Sequence, residues 1–212
     1  ARVADASASI LIEGESGTGK ELTARSLHQF SARRDRPFVP VHCGAIPDTL
    51  LESELFGYER GAFTGADHTH QGLLEAAKDG TIFLDEITEM SPSLQGKLLR
   101  FMQNGEVRRL GGHDVRNVSV RVVAAGNRDI DEEVKGGRFR ADLLYRFVVR
   151  LHIPPLRNHK EDIPQLVKSL LKKIGHPTVR VSDEAMERFI QNLREKGRGS
   201  KRADRKDDDP VD

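Results

Sequence analysis

Two short stretches carry the residue types that phosphate chemistry needs. The first is Gly14-Glu15-Ser16-Gly17-Thr18-Gly19-Lys20-Glu21, which follows the apolar run Ile10-Leu11-Ile12. Gly14, four residues, then Gly19 and Lys20 is the spacing of a phosphate-binding loop. Backbone N–H groups must converge on phosphate oxygens, so the chain must come close and take dihedrals that glycine tolerates. A helix starting near Gly19 leaves its first N–H groups unpaired and aimed at the anion. Lys20 adds a point charge that reaches the β- and γ-phosphates. The next position is usually Ser or Thr, whose hydroxyl touches Mg²⁺; here it is Glu21. Taken alone, the stretch also reads as a Gly-rich strand-to-helix turn with no ligand.

The second stretch is Thr81-Ile82-Phe83-Leu84-Asp85-Glu86, an apolar run that ends in two carboxylates. Continuous apolar runs belong to strands buried on both faces, as in parallel sheets. Ligands of such sheets sit at the carboxyl ends of the strands. Asp85 is placed to hold Mg²⁺ directly or through water, and Glu86 to orient and polarise an attacking water. A helix cap is the alternative role for the pair. Val118 to Ala125 reads as another strand, with Asn127 just beyond it. Its amide is placed to sense a γ-phosphate, or is a turn asparagine.

The elements that must position these residues follow from periodicity. Residues 20–30 put Leu22, Ser26, Leu27 and Phe30 at helical spacing behind the loop. Phe38 to His42 reads as a strand, with Pro40 placing it near a sheet edge. A helix follows, with Thr49 and Glu52 spaced for a capping box, Leu51 and Leu55 on one face and Gly57 closing it. Gln71 to Ala77 reads as helical. Ser91-Pro92 opens a helix with Leu94, Leu98, Phe101 and Met102 buried, ended by Gly105. Residues 106–112 read as a hairpin tip with Arg108 and Arg109 exposed. Arg138 to Arg146 reads as a basic helix, from which Arg140 and Arg146 leave on different sides. Phe147 to Ile153 is a last strand, stopped by Pro154-Pro155. Beyond it, 161–174 reads as an amphipathic helix with Ile163, Leu166, Leu170 and Leu171 inward. Ser182 caps another, with Ala185, Phe189, Ile190 and Leu193 inward.

One loop stands apart. Gly61-Ala62-Phe63-Thr64-Gly65-Ala66 has no charge and sets an aromatic between glycines. It is either a mobile tip that presents a contact or a tucked turn with Phe63 in the core; composition leaves both open.

Composition narrows the class. The chain has 212 residues, 37% hydrophobic and 32% charged, enough for one domain plus part of another. Lys and Arg number 34 against 33 Asp and Glu, so no global field favours nucleic acid or an anionic membrane. The single cysteine, Cys43, excludes an internal disulfide and suits the cytoplasm. No apolar run reaches the ~18 residues of a membrane helix, and no signal-peptide pattern is visible. The histidines show no zinc spacing, and His68 and His70 read as surface loop residues. Residues 194–212 are almost free of apolar side chains and are expected to be disordered. Opening on Ala1, one turn before the first strand, the chain reads as a fragment or excised domain.

Taken together, these motifs resemble the central AAA+ ATPase domain of bacterial enhancer-binding proteins, the activators of sigma-54 RNA polymerase. The residues that carry the resemblance are 14–21, Glu54 to Ala66, Gly80 to Ile87, Phe139 to Arg146 and Pro154 to Arg157, within roughly 9–190. The Gly61–Ala66 hexapeptide is its most specific part. The resemblance implies an α/β fold of the P-loop AAA+ type, with a mostly parallel five-stranded sheet flanked by helices. It implies a nucleotide-binding domain over 1–155, a partial helical lid over 156–193 and a polar tail over 194–212. It implies ATP and Mg²⁺, with Gly14 to Glu21 holding the nucleotide and Asp85 and Glu86 as the Walker B pair. Asn127 then matches the first sensor. Arg140 and Arg146 match arginine fingers acting on a neighbouring subunit, hence a ring, usually a hexamer. Gly61, Ala62, Phe63, Thr64, Gly65 and Ala66 match the loop that meets sigma-54 in the polymerase holoenzyme. A second surface loop is expected around Gly112 to Asn117. DNA contact would come only through domains absent from this chain.

The departures are His42 where the family commonly has Asn, Gly126 for a usual Thr, and His159 for a common Arg. The segment with the second sensor arginine is absent. Two alternatives stay open: an AAA+ ATPase serving a different partner, and a non-catalytic binding module.

Overall fold

The computed structural model describes residues 8–176, 178–179, 181–182 and 184–188. It divides into two compact units, Ala1–Ile153 and Pro154–Asp212. In chain order the first unit runs β1 (Ile10–Glu13), α1 (Lys20–Gln29), β2 (Phe38–His42), α2 (Asp48–Phe56), β3 (Gly57–Tyr58), β4 (His70–Gln71), α3 (Leu73–Ala76) and β5 (Thr81–Asp85). It continues with α4 (Pro92–Asn104), β6 (Glu106–Arg108), β7 (Val115–Asn117), β8 (Arg121–Gly126), α5 (Ile130–Lys135), α6 (Ala141–Leu144) and β9 (Val149–His152). The second unit holds α7 (Ile163–Lys173) and a further helical turn at 184–188.

Five strands form one sheet in the order β2-β5-β8-β1-β9, and every pairing is parallel. Parallel neighbours need crossovers, so helices cover both faces and the central strands are apolar throughout. The pleat sorts their side chains. Ile10, Ile12, Phe83, Val123 and Ala125 pack with Ala24 of α1 on one face. Leu11, Ile82, Leu84, Val122 and Ala124 pack with Leu51, Leu55, Leu94 and Leu98 on the other. Pro40 lies in β2, an edge strand, where its missing N–H is tolerated. No helix of the described residues is long and apolar enough to cross a membrane.

Local signals set most boundaries. The Ser91 hydroxyl accepts from the Leu94 amide, Pro92 fills the first turn, and Gly105 at φ 71 closes α4. Gly57 at φ 76 ends α2.

Several expectations are corrected. The Thr49–Glu52 capping box does not form: α2 begins a residue earlier, and the extended Pro47 gives its carbonyl to Leu50 and Leu51 at 3.0 and 2.9 Å. On α1 the buried positions are Lys20, Ala24 and His28, whereas Leu22 and Phe30 are 68% and 73% exposed. The sheet selects that stripe because the loop fixes how α1 is rotated at Lys20. The basic helix over 138–146 shrinks to α6, since Arg138 and Phe139 turn back to donate to the Glu133 carbonyl. In α7, Leu166 and Leu170 are exposed, with little in the described part of that unit to cover them. His70 is a strand residue stacked on Tyr58 at 5.2 Å, not a loop residue. The Ser182 hydroxyl accepts from the Ala185 amide at 3.3 Å as expected; Phe189, Ile190, Leu193 and the 194–212 tail lie outside the described residues.

Replacing Leu98, fully buried between α4 and the sheet, with alanine removes packing that the parallel core cannot refill. Urea denaturation of Leu98→Ala should show a loss of roughly 2–5 kcal/mol with an unchanged slope.

Candidate functional site

β1 delivers the chain into the loop, and α1 begins directly after Gly19, whose φ is 88. Gly17 is also left-handed, at φ 80, and a Cβ at either position would meet nothing within 4 Å, so the loop forms an open cradle. Thr18 folds back, giving its hydroxyl and its N–H to the Glu15 carbonyl at 2.9 and 3.3 Å. Lys20 is buried, and its Nζ donates to the carbonyls of Gly14 and Glu15 at 2.8 and 2.9 Å. Burial pushes the ammonium below its ordinary value, while the charges of Asp85 and Glu86 pull it back up. Loop lysine and strand-end carboxylates therefore share one electrostatic environment. Glu21 pairs with Arg25 one turn along α1, at 2.8 Å, and is taken up on the helix surface.

Asp85 ends β5, where it pairs in register with His42 of β2. Glu86 follows in the left-handed region at φ 54, a conformation costing a non-glycine residue about 1–3 kcal/mol. Its N–H donates to Asp85 Oδ1 at 3.1 Å. The Glu86 carboxylate lies against Gly44, where a Cβ would stand only 2.5 Å from Oε2. His42 Nδ1 is 3.6 Å from the same oxygen, an ion pair whenever the imidazole is protonated. Beside them Cys43 is buried, and burial, then the charges of Asp85 and Glu86, push its thiol up to about 12. Asn127 follows β8. With Gly14, Glu15, Arg128 and Arg150 it lines a cavity of about 360 Å³ at the carboxyl edge of the sheet.

Arg140 and Arg146 are not drawn in. Arg140 precedes α6 and forks onto Asp142 at 2.7 and 3.0 Å. Arg146 is exposed and has no ion-pair partner among the described residues. The Gly61–Ala66 loop joins β3 to β4. Its tip is held by Gly61 N–H to Ala66 O at 2.9 Å and Ala66 N–H to Phe63 O at 3.0 Å. Phe63 is 45% exposed, its ring edge-on to Tyr58 at 5.0 Å, so the loop is a surface tip and not a tucked turn.

The described residues contain no cluster of three or more His, Cys, Asp or Glu able to hold a metal by themselves. Mg²⁺ takes most of its ligands from phosphates and water, so a single strand-end carboxylate such as Asp85 is compatible with it.

The chain has close matches among known proteins. Residues 1–152 match the family described as the Sigma-54 interaction domain. The chain belongs to that family. Its fold, a five-stranded parallel sheet flanked by helices, is the one found in the solved structures of NtrX. Among curated relatives it is 52% identical over 203 residues to the Nif-specific regulatory protein of Azotobacter vinelandii, covering 92% of this chain and 39% of that protein. It is 53% identical over 176 residues to the regulatory protein AtoC of Escherichia coli, covering 82% of this chain and 38% of the relative. The chain thus spans about two fifths of the length of the curated relatives it matches. Among solved structures, NtrX from Brucella abortus in complex with ATP superposes with a TM-score of 0.77 at 35% identity, over 88% of this chain and 43% of that one. The same protein with ADP gives 0.79, over 87% and 41%.

In this sigma-54 interaction domain the Gly61–Ala66 loop does not stand alone. The β6–β7 hairpin grips its base. Glu59 N–H donates to Leu110 O at 3.0 Å, and Leu110 N–H donates to Gly57 O at 2.9 Å. Arg109 forks onto Glu75 at 2.7 and 3.0 Å and reaches Glu59 at 3.1 Å. Arg116 joins Glu75 at 3.2 Å. Arg109 was expected on the surface; its side chain is only 10% exposed because two acids from distant segments enclose it. Sequence spacing gives no sign of this cluster.

The Thr69 hydroxyl, then Arg109 and Arg116, hold the Glu59 carboxyl below its ordinary value against burial. A lowered carboxylate stabilises the fold above its unfolded value of about 4.3, and that contribution is lost as pH falls through the native value. Glu59→Gln should therefore lower the urea midpoint at neutral pH, and the gap to the parent should close as the pH falls well below 4.

Proposed function

We propose that the chain is the ATP-hydrolysing domain of a sigma-54-dependent activator, which uses the Gly61–Ala66 loop to remodel sigma-54 RNA polymerase holoenzyme. One observation carries this reading. Buried Lys20 stands in a left-handed glycine loop at the start of α1 and feels the charges of Asp85 and Glu86 at the end of β5, in the same unit that presents a six-residue tip to solvent. Family membership and the ATP and ADP complexes of the NtrX relative support it.

The amides of Gly17, Thr18, Gly19 and Lys20 bind the β- and γ-phosphates, with Gly14, Glu15, Ser16 and Glu21 completing the loop. Lys20 leaves the Gly14 and Glu15 carbonyls for the phosphates. Asp85 is the carboxylate that would hold Mg²⁺, which would neutralise phosphate charge. Glu86 orients and polarises the attacking water, and Asn127 reads the γ-phosphate. Arg140 and Arg146 act on the nucleotide of the next subunit in a ring, usually a hexamer. Their exposure supports action across an interface. Phe63 and Thr64 meet sigma-54. We assign the nucleotide-binding domain to 1–155, a partial lid to 156–193 and a tail to 194–212, working in the cytoplasm.

Two substitutions separate the parts of this reading. Glu86→Gln should lower phosphate release by about 10²–10⁴-fold and leave ATP binding intact. Thr64→Ala should keep the ATPase and abolish binding to sigma-54 in the presence of a transition-state analogue. Unchanged turnover in Glu86→Gln would remove the catalytic assignment; unchanged sigma-54 binding in Thr64→Ala would remove the loop assignment.

A further inference from the structure

Gln95 is a polar residue on the buried stripe of α4, with no exposed surface at all. Its carboxamide Nε2 donates to Met90 O at 2.8 Å and to Arg138 O at 2.9 Å. Its Oε1 accepts the Arg140 N–H at 2.9 Å. The orientation is fixed by its partners, since flipping the amide would set oxygen against two carbonyls and nitrogen against an N–H. One side chain therefore joins two segments that are distant in sequence.

The first segment is the turn after the carboxylates. Glu86 opens it, the Glu89 N–H donates to Glu86 O at 2.9 Å, and the Met90 N–H donates to Ile87 O at 3.2 Å. A shift at Met90 is thus carried back to Glu86 through a rigid short turn. The second segment is Arg138 to Arg140. Among the described residues the Arg140 guanidinium holds only an exposed pair with Asp142. Such pairs are weak and easily exchanged for a phosphate.

A second path closes the circuit. Arg128, next to Asn127, bonds Glu89 at 2.7 Å. Its other nitrogen lies 3.9 Å from Glu133. Glu133 in turn receives Arg138 at 2.8 and 3.0 Å. The carboxylate turn, the strand end carrying Asn127 and the Arg140 segment are therefore linked by continuous hydrogen bonds and charge contacts, with Gln95 as the buried crossing point. In a low-dielectric interior a carbonyl left without its donor is costly, so the two segments keep step.

We infer that Gln95 is a positioning residue that couples Arg140, engaged with the nucleotide of the next subunit, to the turn that places this subunit's own Glu86. The inference rests on the proposed role of Arg140. It gives the ring a physical route by which one site responds to its neighbour. Gln95 touches no nucleotide; it acts through the Arg138–Arg140 backbone and Met90.

A double-mutant cycle on the whole chain tests it, with Gln95→Met, which keeps the shape and drops the three bonds. Gln95→Met should lower kcat about tenfold or more, while the Kd for a fluorescent ADP analogue changes less than about twofold. Arg140→Ala alone should cost on the order of 10³ or more in turnover. In the Arg140→Ala background, Gln95→Met should have an effect below about twofold. Multiplying effects, or a Kd that rises in step with the loss of kcat, would overturn the coupling and leave Gln95 a packing residue. A parent without turnover, or wild-type turnover in Arg140→Ala, overturns instead the reading beneath it. Hydrogen exchange on the unaltered chain does not depend on how the variant folds. ADP with aluminium fluoride should protect 87–90 and 138–140 together, and protection of one segment alone contradicts the inference.

Discussion

The main-chain N–H groups at the start of α1 have no partner within the helix, and the rest of the site is arranged around that fact. They make a fixed positive surface that no side chain needs to supply. A parallel sheet then does the placing. All its strands end at the same edge, so Glu13, Asp85 and Gly126 finish β1, β5 and β8 beside the loop. Asp85 at the end of β5 and Lys20 at the start of α1 are both fixed by the strands that carry them, close enough for the carboxylate charge to act on the ammonium. The strained Glu86 backbone and the glycine at position 44 that gives its carboxylate room fit the same constraint.

The second organising feature is the coupling of two surface hairpins. The Gly61–Ala66 loop is small and uncharged, and alone it would have little to hold it. Arg109 and Arg116 from one hairpin, with Glu59 and Glu75 from around the other, bind the two bases together. The contact extends toward the tips, where a Cβ on Gly111 would overlap Ala62. The tip is thus set on a base cross-linked by ion pairs and backbone hydrogen bonds.

How much of this could be read from sequence depended on whether the signal was local. The phosphate loop, the apolar strand ending in Asp85-Glu86, the Ser91-Pro92 start of α4 and the Gly57 and Gly105 stops are all written in neighbouring residues, and the structure has them. The edge position of β2 followed from Pro40. Arg109 was misjudged because its partners Glu59 and Glu75 are 50 and 34 residues away, and charge balance along the chain says nothing about such pairs. The face of α1 was misjudged because the loop, not the helix's own apolar residues, sets its rotation. The Arg138–Arg146 helix was overextended because backbone bonds to Glu133 compete with it. Gln95 did leave a trace: it stands in register with Leu98, Leu99 and Met102, a polar residue where the stripe calls for an apolar one. His42 Nδ1 stands 3.6 Å from Glu86 Oε2, beyond hydrogen-bond length, a proximity that only the pairing of β2 with β5 creates.

The central claim is that Gly17, Thr18, Gly19 and Lys20 grip phosphate while Asp85 and Glu86 face it. A crystal structure of the chain with a slowly hydrolysed ATP analogue and Mg²⁺ tests this directly. The account requires phosphate oxygens on those amides, Lys20 Nζ moved from the Gly14 and Glu15 carbonyls onto phosphate, and the cation beside Asp85. A nucleotide seated elsewhere, with Lys20 still on its own loop carbonyls, would contradict it.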